Sequence, residues 1–287
     1  MLARIFDLLK NAARIFLDKN APSRGAAIAF YAVTSIAPVL LIVVAIAGAV
    51  FGEEAARGAI FGQFRDLLGA QGAEFLQNTI ASAARKGGGV WASIIGIAAL
   101  VLTASGVFLE LEDALNETWD AKREGSVLSG MVRGRLASLS LVMALGFLLL
   151  VSLVVDAALN GLSETINSRL PFGAPLLVAA SFVISLALIA VLCAAIYKLL
   201  PAKPLGWRYV IFGAAVTAVL FQIGKFLLGL YLGSSGGTSS LGAAGAFLGL
   251  LFWIYYSAQI FLFGVALTKA HFDRSRALRE REPSILP

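Results

Sequence analysis

The feature that most constrains this chain is a series of apolar runs long enough to cross a bilayer. They occupy about residues 28–51, 90–109, 137–160, 174–199, 208–233 and 241–269. A helix needs about 20 apolar residues to cover a hydrocarbon core about 30 Å thick. Inside lipid every backbone N–H and C=O must be satisfied within its own segment, which leaves helices as the solution for runs of this length. The spacing therefore predicts an all-α, polytopic integral membrane protein with six transmembrane helices. Charged residues make up only 14% of the 287, well below the quarter or so usual in soluble domains.

Lys and Arg set the expected orientation. Arg4, Lys10, Arg14, Lys19 and Arg24 precede the first run, and Lys122, Arg123, Arg133 and Arg135 lie between the second and third. Lys198, Lys203 and Arg208 join the fourth to the fifth, and Lys269, Arg274, Arg276, Arg279 and Arg281 follow the sixth. The opposite side has only Arg57, Arg65, Arg85, Lys86 and Arg169. Positive residues stay on the cytoplasmic side, so both termini are expected there. The formal charge of +6 is thus explained by topology, and no nucleic-acid partner is needed to account for it. The expected organisation is a cytoplasmic amphipathic arm at 1–27, a six-span domain at 28–272 with an outer amphipathic loop at 52–89, and a basic cytoplasmic tail at 273–287.

A single Cys193 excludes an intrachain disulfide, and one Cys with one His271 cannot assemble the usual zinc or haem ligand sets. No cofactor and no metal are expected. Residues 1–18 place Arg4, Asp7, Lys10, Asn11, Arg14 and Asp18 on one arc, opposite Leu2, Ile5, Phe6, Leu9, Ala13, Phe16 and Leu17. Such a helix either lies in the cytoplasmic interface with its cations toward anionic headgroups, or packs on the spans from below.

The residue that most invites a functional reading is Lys225, inside the fifth run. It lies 17 residues past Arg208, or about 25 Å of helical rise, beyond the midplane and short of the outer headgroups. Helical side chains lean toward the helix N-terminus, here the cytoplasmic end, so outward snorkelling runs against the geometry. Ala214, Ala218, Gln222 and Gly229 form a small and polar strip beside it. Lys225 is therefore expected to face protein or a wet cavity, either in a structural ion pair or as a contact for a negatively charged substrate. Asp156 is its best partner by depth, about 6 Å away in level, although it equally suits the outer interface.

Pro38 should kink the first span and free the carbonyl near residue 34, with Thr34 and Ser35 at hand to re-satisfy it. Tyr231 and Gln259 are further polar groups suited to line a path. Gly229/Gly233 and Gly245/Gly249 are small-xxx-small pairs that predict close packing of the last two spans. In the acidic stretch, Glu110, Asp113 and Glu117 share a helix face. They suit a divalent ion on paper, but no second acidic cluster completes such a site, and a charged interfacial helix is the better reading.

Four segments carry a wider resemblance: "RGAAIAFYAVTSIAP" from Arg24, "GVFLELEDALNETW" from Gly106, "LPAKPLGW" from Leu200 with Lys225 downstream, and "WIYYSAQIFLFG" from Trp253. Over about residues 20–272 the chain resembles the YihY/BrkB family of bacterial inner-membrane proteins. The resemblance implies a six-span all-α fold in the inner membrane. It also brings a ribonuclease BN label, and links to virulence and to envelope lipid or solute export. The ribonuclease label fits poorly, since histidine-rich metal motifs and a soluble catalytic domain are lacking. Similar sequences read Gly-Ala-Glu where this chain has Gly264-Val265-Ala266, so any role of that acid is absent here.

The leading expectation is a transporter or flippase for an anionic lipid or amphipathic envelope solute, not an enzyme, with Lys225, Gln222, Tyr231, Asp156, Pro38 and Gln259 on its path. The alternative is a non-transporting scaffold that docks an envelope partner, and the least favoured is a lipid-modifying enzyme. The partner classes carried forward are membrane lipids, an anionic lipid substrate, an envelope protein and a second copy of the chain.

Overall fold

The computed structural model describes residues 2–52, 106–121, 173–203, 205–234 and 238–281, with single positions scattered between 54 and 78. Expected span three, most of span two, the body of the 52–89 loop, and Asp156 lie outside the described residues. Every regular element described is helical: α1 (Leu2–Asp18), α2 (Ala21–Phe51), α3 (106–118), α4 (Gly173–Leu199), α5 (Trp207–Ser234) and α6 (Thr238–Arg281). Among them, Ala179–Leu199, Trp207–Leu227 and Phe247–Leu278 are long and apolar enough to cross a membrane. The chain divides into two compact units. The first holds Met1–Pro22, Glu112–Leu220 and Gln259–Pro287; the second holds Ser23–Leu111 and Phe221–Ala258.

The helix ends follow from local chemistry. α1 stops at Asn20, whose φ of 51° is a left-handed conformation that Asn tolerates better than most residues. Pro22 then sits in the first turn of α2, where its missing N–H costs nothing. The arm therefore ends at 18–20 and the next helix begins at once, earlier than the boundary at residue 27 expected from charge. At the far end of α2, Gly52 takes a φ of 89° and its N–H closes on the Gly48 carbonyl at 2.9 Å. α3 ends in a Schellman arrangement: Ala121 N–H reaches the Asn116 carbonyl at 2.8 Å and Asp120 N–H the Glu117 carbonyl at 3.2 Å. The left-handed position of that motif, usually glycine, is Asp120 with φ 50°.

α6 runs 44 residues, or about 66 Å, far beyond a bilayer's hydrocarbon core. The tail expected from residue 273 is thus helical as far as Arg281. Its charges mark departure from an apolar environment without breaking the helix, and the nearest proline is Pro283.

In the first unit, α1 lays Ala12 into a cluster with Leu267 and Ala270 of α6, flanked by Leu8, Ile15, Phe212, Val216 and Phe263. Phe16 also meets Phe263 edge-on at 5.9 Å, whereas Ile5, Phe6, Leu9 and Leu17 are exposed. The two expectations for the arm are thus divided between two faces, one packed on α5 and α6 and one left open.

α4, α5 and α6 meet through small and hydroxyl residues. Tyr197, fully enclosed, donates to the Phe261 carbonyl at 2.7 Å, and its oxygen lies 2.9 Å from Thr217 Oγ1. Thr217 also reaches the Gly213 carbonyl at 2.8 Å, and Thr268 reaches that of Gly264 at 2.7 Å. A Cβ on Gly264 would overlap Thr217 Oγ1 and Tyr197 Oη, and one on Gly213 would overlap Thr268 Oγ1. The expected small-xxx-small contact does not extend to Gly249, where an added Cβ meets nothing within 4 Å. The side chains around Gly229, Gly233 and Gly245 lie outside the described residues. Close approach is made instead where a glycine on one helix receives a threonine from the other.

Candidate functional site

Lys225 sits two-thirds of the way along α5, in the second unit. Its neighbours toward the chain start are enclosed: Ala214, Thr217 and Ala218 are at most 1% exposed. From residue 221 onward the packing thins. Gln222 is half-buried, whereas Ile223, Lys225, Phe226 and Leu227 are all exposed. Of the small strip that was expected to carry Lys225 inward, Ala214 and Ala218 are buried and Gln222 is half-buried. Lys225 was expected to face protein or a wet cavity, and it is exposed rather than packed against protein. Among the described residues no carboxylate pairs with it. The suggested pair with Asp156 lies outside the described residues, as does the side chain of Tyr231.

The part of α5 that carries Lys225 meets aromatic residues of α6. A Cβ on Gly224 would overlap the Tyr256 ring, so the backbone next to Lys225 runs against that tyrosine. Phe221 meets Trp253 edge-on with centroids 5.5 Å apart, and Trp253 lies 6.3 Å from Tyr256. One ammonium, one half-buried amide and a row of three rings thus share the α5–α6 stretch of the second unit. Chemically this offers a point charge and a hydrogen-bonding group for an anion, with aromatic surface for an attached apolar body.

Pro38 belongs to the second unit, as Lys225 does, and its side chain lies outside the described residues. Gln259 belongs to the first unit, and its Nε2 donates to the Pro22 carbonyl at 3.2 Å while its buried Oε1 has no protein partner among the described residues. α2 continues unbroken through Pro38. The hydroxyls of Thr34 and Ser35 do not cover the carbonyl that Pro38 frees. Thr34 bonds the carbonyls of Phe30 and Tyr31, at 3.0 and 2.9 Å, and Ser35 bonds that of Ala32 at 3.0 Å. A helical hydroxyl reaches back three or four residues, so it serves the preceding turn rather than its own.

The acidic stretch is built differently from a charged surface helix. Its intervening residues Ala114, Leu115, Asn116, Thr118 and Trp119 are buried, and Trp119 packs edge-on against Phe272 at 5.7 Å. Glu110 is held by Arg24 at 2.9 Å within the second unit. Among the described residues no three of His, Cys, Asp and Glu are grouped as a metal ion would require. Asp120 in the first unit accepts from Lys19 at 2.6 Å and also from Lys269. Those two ammonium groups, Lys19 foremost, hold its carboxyl at about 2, below the ordinary 3.8. One side chain thereby ties the end of α1 to α6. Asn116 accepts from Ala202 N–H at 2.8 Å, joining the acidic stretch to the α4–α5 corner.

These contacts link the segments singled out in the sequence. In the second unit Arg24 meets Glu110, and Gly106 backs onto the Tyr31 ring, so the first two segments touch. In the first unit Asn116 meets Ala202, so the second touches the third. The model of the family described as virulence factor BrkB matches residues 12–284. The chain belongs to the BrkB virulence factor family. A UPF0761 membrane protein of Idiomarina loihiensis is 26% identical over 218 residues, covering 73% of this chain and 70% of that protein. One of Mannheimia succiniciproducens is 24% identical over 259 residues, with 88% and 85% covered. One of Pseudomonas aeruginosa is 30% identical over 190 residues; the match spans 65% of this chain and less than half, 44%, of that protein. No solved structure matches the chain. In this BrkB-family chain Ala266 is 1% exposed.

Proposed function

We propose that this membrane protein transports an anionic lipid or amphipathic envelope solute, engaging the anionic group through Lys225. The observation that carries the reading is an exposed ammonium among apolar residues of a membrane-length helix, without a carboxylate partner among the described residues. A charge in that position costs a few kcal/mol unless it meets water or an anion. Gln222 and the rings of Phe221, Trp253 and Tyr256 supply a polar contact and an apolar shelf beside it. The protein is taken to sit in the bacterial inner membrane with six spans and both termini cytoplasmic, as the distribution of Lys and Arg suggests. The test is reconstitution in vesicles containing a headgroup-labelled phospholipid, with translocation read by chemical quenching of the outer leaflet. Lys225→Ala should abolish translocation and Lys225→Arg retain part of it, both with unchanged unfolding transitions. Full activity in Lys225→Ala refutes the assignment.

One observation favours the scaffold reading as a second choice: the open apolar face of α1 at Ile5, Phe6, Leu9 and Leu17. In that case removing residues 1–18 abolishes function while Lys225→Met is tolerated. The enzyme reading has less support, because Glu110 of its suggested acidic trio is already engaged by Arg24.

A further inference from the structure

The α4–α5 corner carries the third of the family segments and takes no part in the site around Lys225. Lys19 and Lys269 are paired with Asp120, and Arg24 with Glu110. Like Lys10, Arg14 and Lys225, the corner's cations Lys198, Lys203 and Arg208 lack acidic partners among the described residues. Lys198 and Lys203 nonetheless have defined contacts. Lys198 donates to the Leu205 carbonyl across the corner and lies 5.5 Å from the Trp207 ring centroid. Lys203 lies 5.9 Å from the Phe272 ring, which itself meets Tyr209, the neighbour of Arg208, at 5.1 Å. Asn116 fixes the corner backbone through Ala202. Unpaired cations on a fixed loop form an uncompensated positive surface.

Its position selects the ligand. The corner joins two apolar membrane-length stretches, Ala179–Leu199 and Trp207–Leu227, so its cations stand where apolar surface gives way to polar. Directly beside them Leu199 is 78% exposed, Trp207 58% and Ile211 56%. A free anion has no use for that apolar flank, and a neutral amphiphile none for the cations. We infer that the α4–α5 corner binds the headgroup phosphate of an anionic membrane lipid, with Lys203 and Arg208 on the phosphate and Leu199, Trp207 and Ile211 along its glycerol and acyl portion. Arg208 supplies a planar donor fork and Lys203 a point charge, both suited to phosphate oxygens.

The full chain, purified in a neutral detergent, is mixed with equal phosphatidylglycerol and phosphatidylcholine, and retained lipids are counted by native mass spectrometry. The wild type should retain phosphatidylglycerol preferentially. Lys203→Gln with Arg208→Gln should reduce that preference several-fold, whereas Lys203→Arg with Arg208→Lys preserves it and separates lost charge from lost folding. Lys10→Gln with Arg14→Gln removes equal charge from α1 and should keep the adduct. The corner double should lose its adduct to the same extent in a Lys225→Met background as in the wild type, which separates this site from the one proposed around Lys225. Equal losses in the corner and α1 doubles, or no preference in the wild type, overturn the inference. Displacement of the lipid by inorganic phosphate, at matched ionic strength, overturns it in favour of a free-anion site.

Discussion

The same two helices, α5 and α6, present opposite kinds of surface in the two units. In the first unit Gly213, Thr217, Gly264 and Thr268 interlock with Tyr197 of α4, and every one of these hydroxyls has a partner. In the second unit Gly224 still backs onto Tyr256, but Ile223, Phe226, Leu227 and Phe252 point outward together with Lys225. Helix association in lipid draws on packing and hydrogen bonds, not on expulsion of water, so small residues and satisfied hydroxyls mark where helices are locked. Large exposed side chains mark where they are free to meet something else. The first stretch is locked by its contacts, and the open stretch is the one to which the proposed function assigns the substrate.

The largest effect is expected where that lock leaves no room. Gly264→Ala places a methyl onto Thr217 Oγ1 and Tyr197 Oη, forcing apart both the hydrogen bonds and the helices. Overpacking of this kind costs about 1–3 kcal/mol, and the upper end applies because the obstructing atoms are themselves held. Detergent-based thermal unfolding should show a markedly lower transition. An unchanged transition would mean that the first unit is looser than its contacts imply.

Tyr197→Phe comes next. It keeps the ring and its 4.9 Å contact with Phe261 and removes only the hydroxyl. The Phe261 carbonyl, an acceptor beyond its own helix, then loses one partner, for about 1–2 kcal/mol. The double variant with Thr217→Val should cost less than the two single changes added together, because the two hydroxyls share a contact.

The helices that carry this division were visible in the chain itself, though the division was not. The expected runs 174–199 and 208–233 match Gly173–Leu199 and Trp207–Ser234, because Pro201 and Gly206 punctuate the sequence between them. The early start of α2 was also legible, since Asn20 and Pro22 are stop and start signals that the charge pattern outweighed. The Gly–Thr contacts were not, because each pairs residues from different helices and neither glycine belongs to a GxxxG repeat. Glycine spacing pointed to Gly249 instead, which the structure leaves open. Lys225 was recognised as the anomalous residue, yet its exposure depends on where neighbouring packing ends, and no periodicity within α5 records that. The charges of the acidic stretch were legible, and Arg24 and Lys19 pair with Glu110 and Asp120. The burial of Ala114, Leu115 and Trp119 between them depends on neighbouring elements and was not legible.

A smaller effect is expected at Asp120. Its carboxyl is held at about 2 by Lys19 and Lys269, against an ordinary value of 3.8. A lowered acid favours the folded state above its ordinary value, and that contribution is lost as pH falls from 3.8 toward about 2. The side chain is 62% exposed, so solvent screening leaves the clamp worth under about 1 kcal/mol. Asp120→Asn should therefore barely move global unfolding but speed tryptic cleavage at Lys19, the end of α1 it secures. Asp120→Gly relieves the left-handed backbone while also removing the clamp. If cleavage at Lys19 is equally fast in both variants, the aspartate is there for its charge. If only Asp120→Asn is cleaved faster, the backbone conformation governs the arm.

The smallest effect should come from Gly249→Ala, and its size tests the comparison from the other side. An added Cβ meets nothing within 4 Å, so no contact has to yield. Within a helix, alanine is favoured over glycine by about 1 kcal/mol in water, and the change should leave unfolding unaltered or slightly raised. The pair Gly249→Ala and Gly264→Ala thus makes one chemical change on one helix, with opposite expected signs. Should Gly249→Ala destabilise as strongly as Gly264→Ala, the second unit would be locked as well. Lys225 would then lie on structural surface, and transport through its contacts would lose its physical basis.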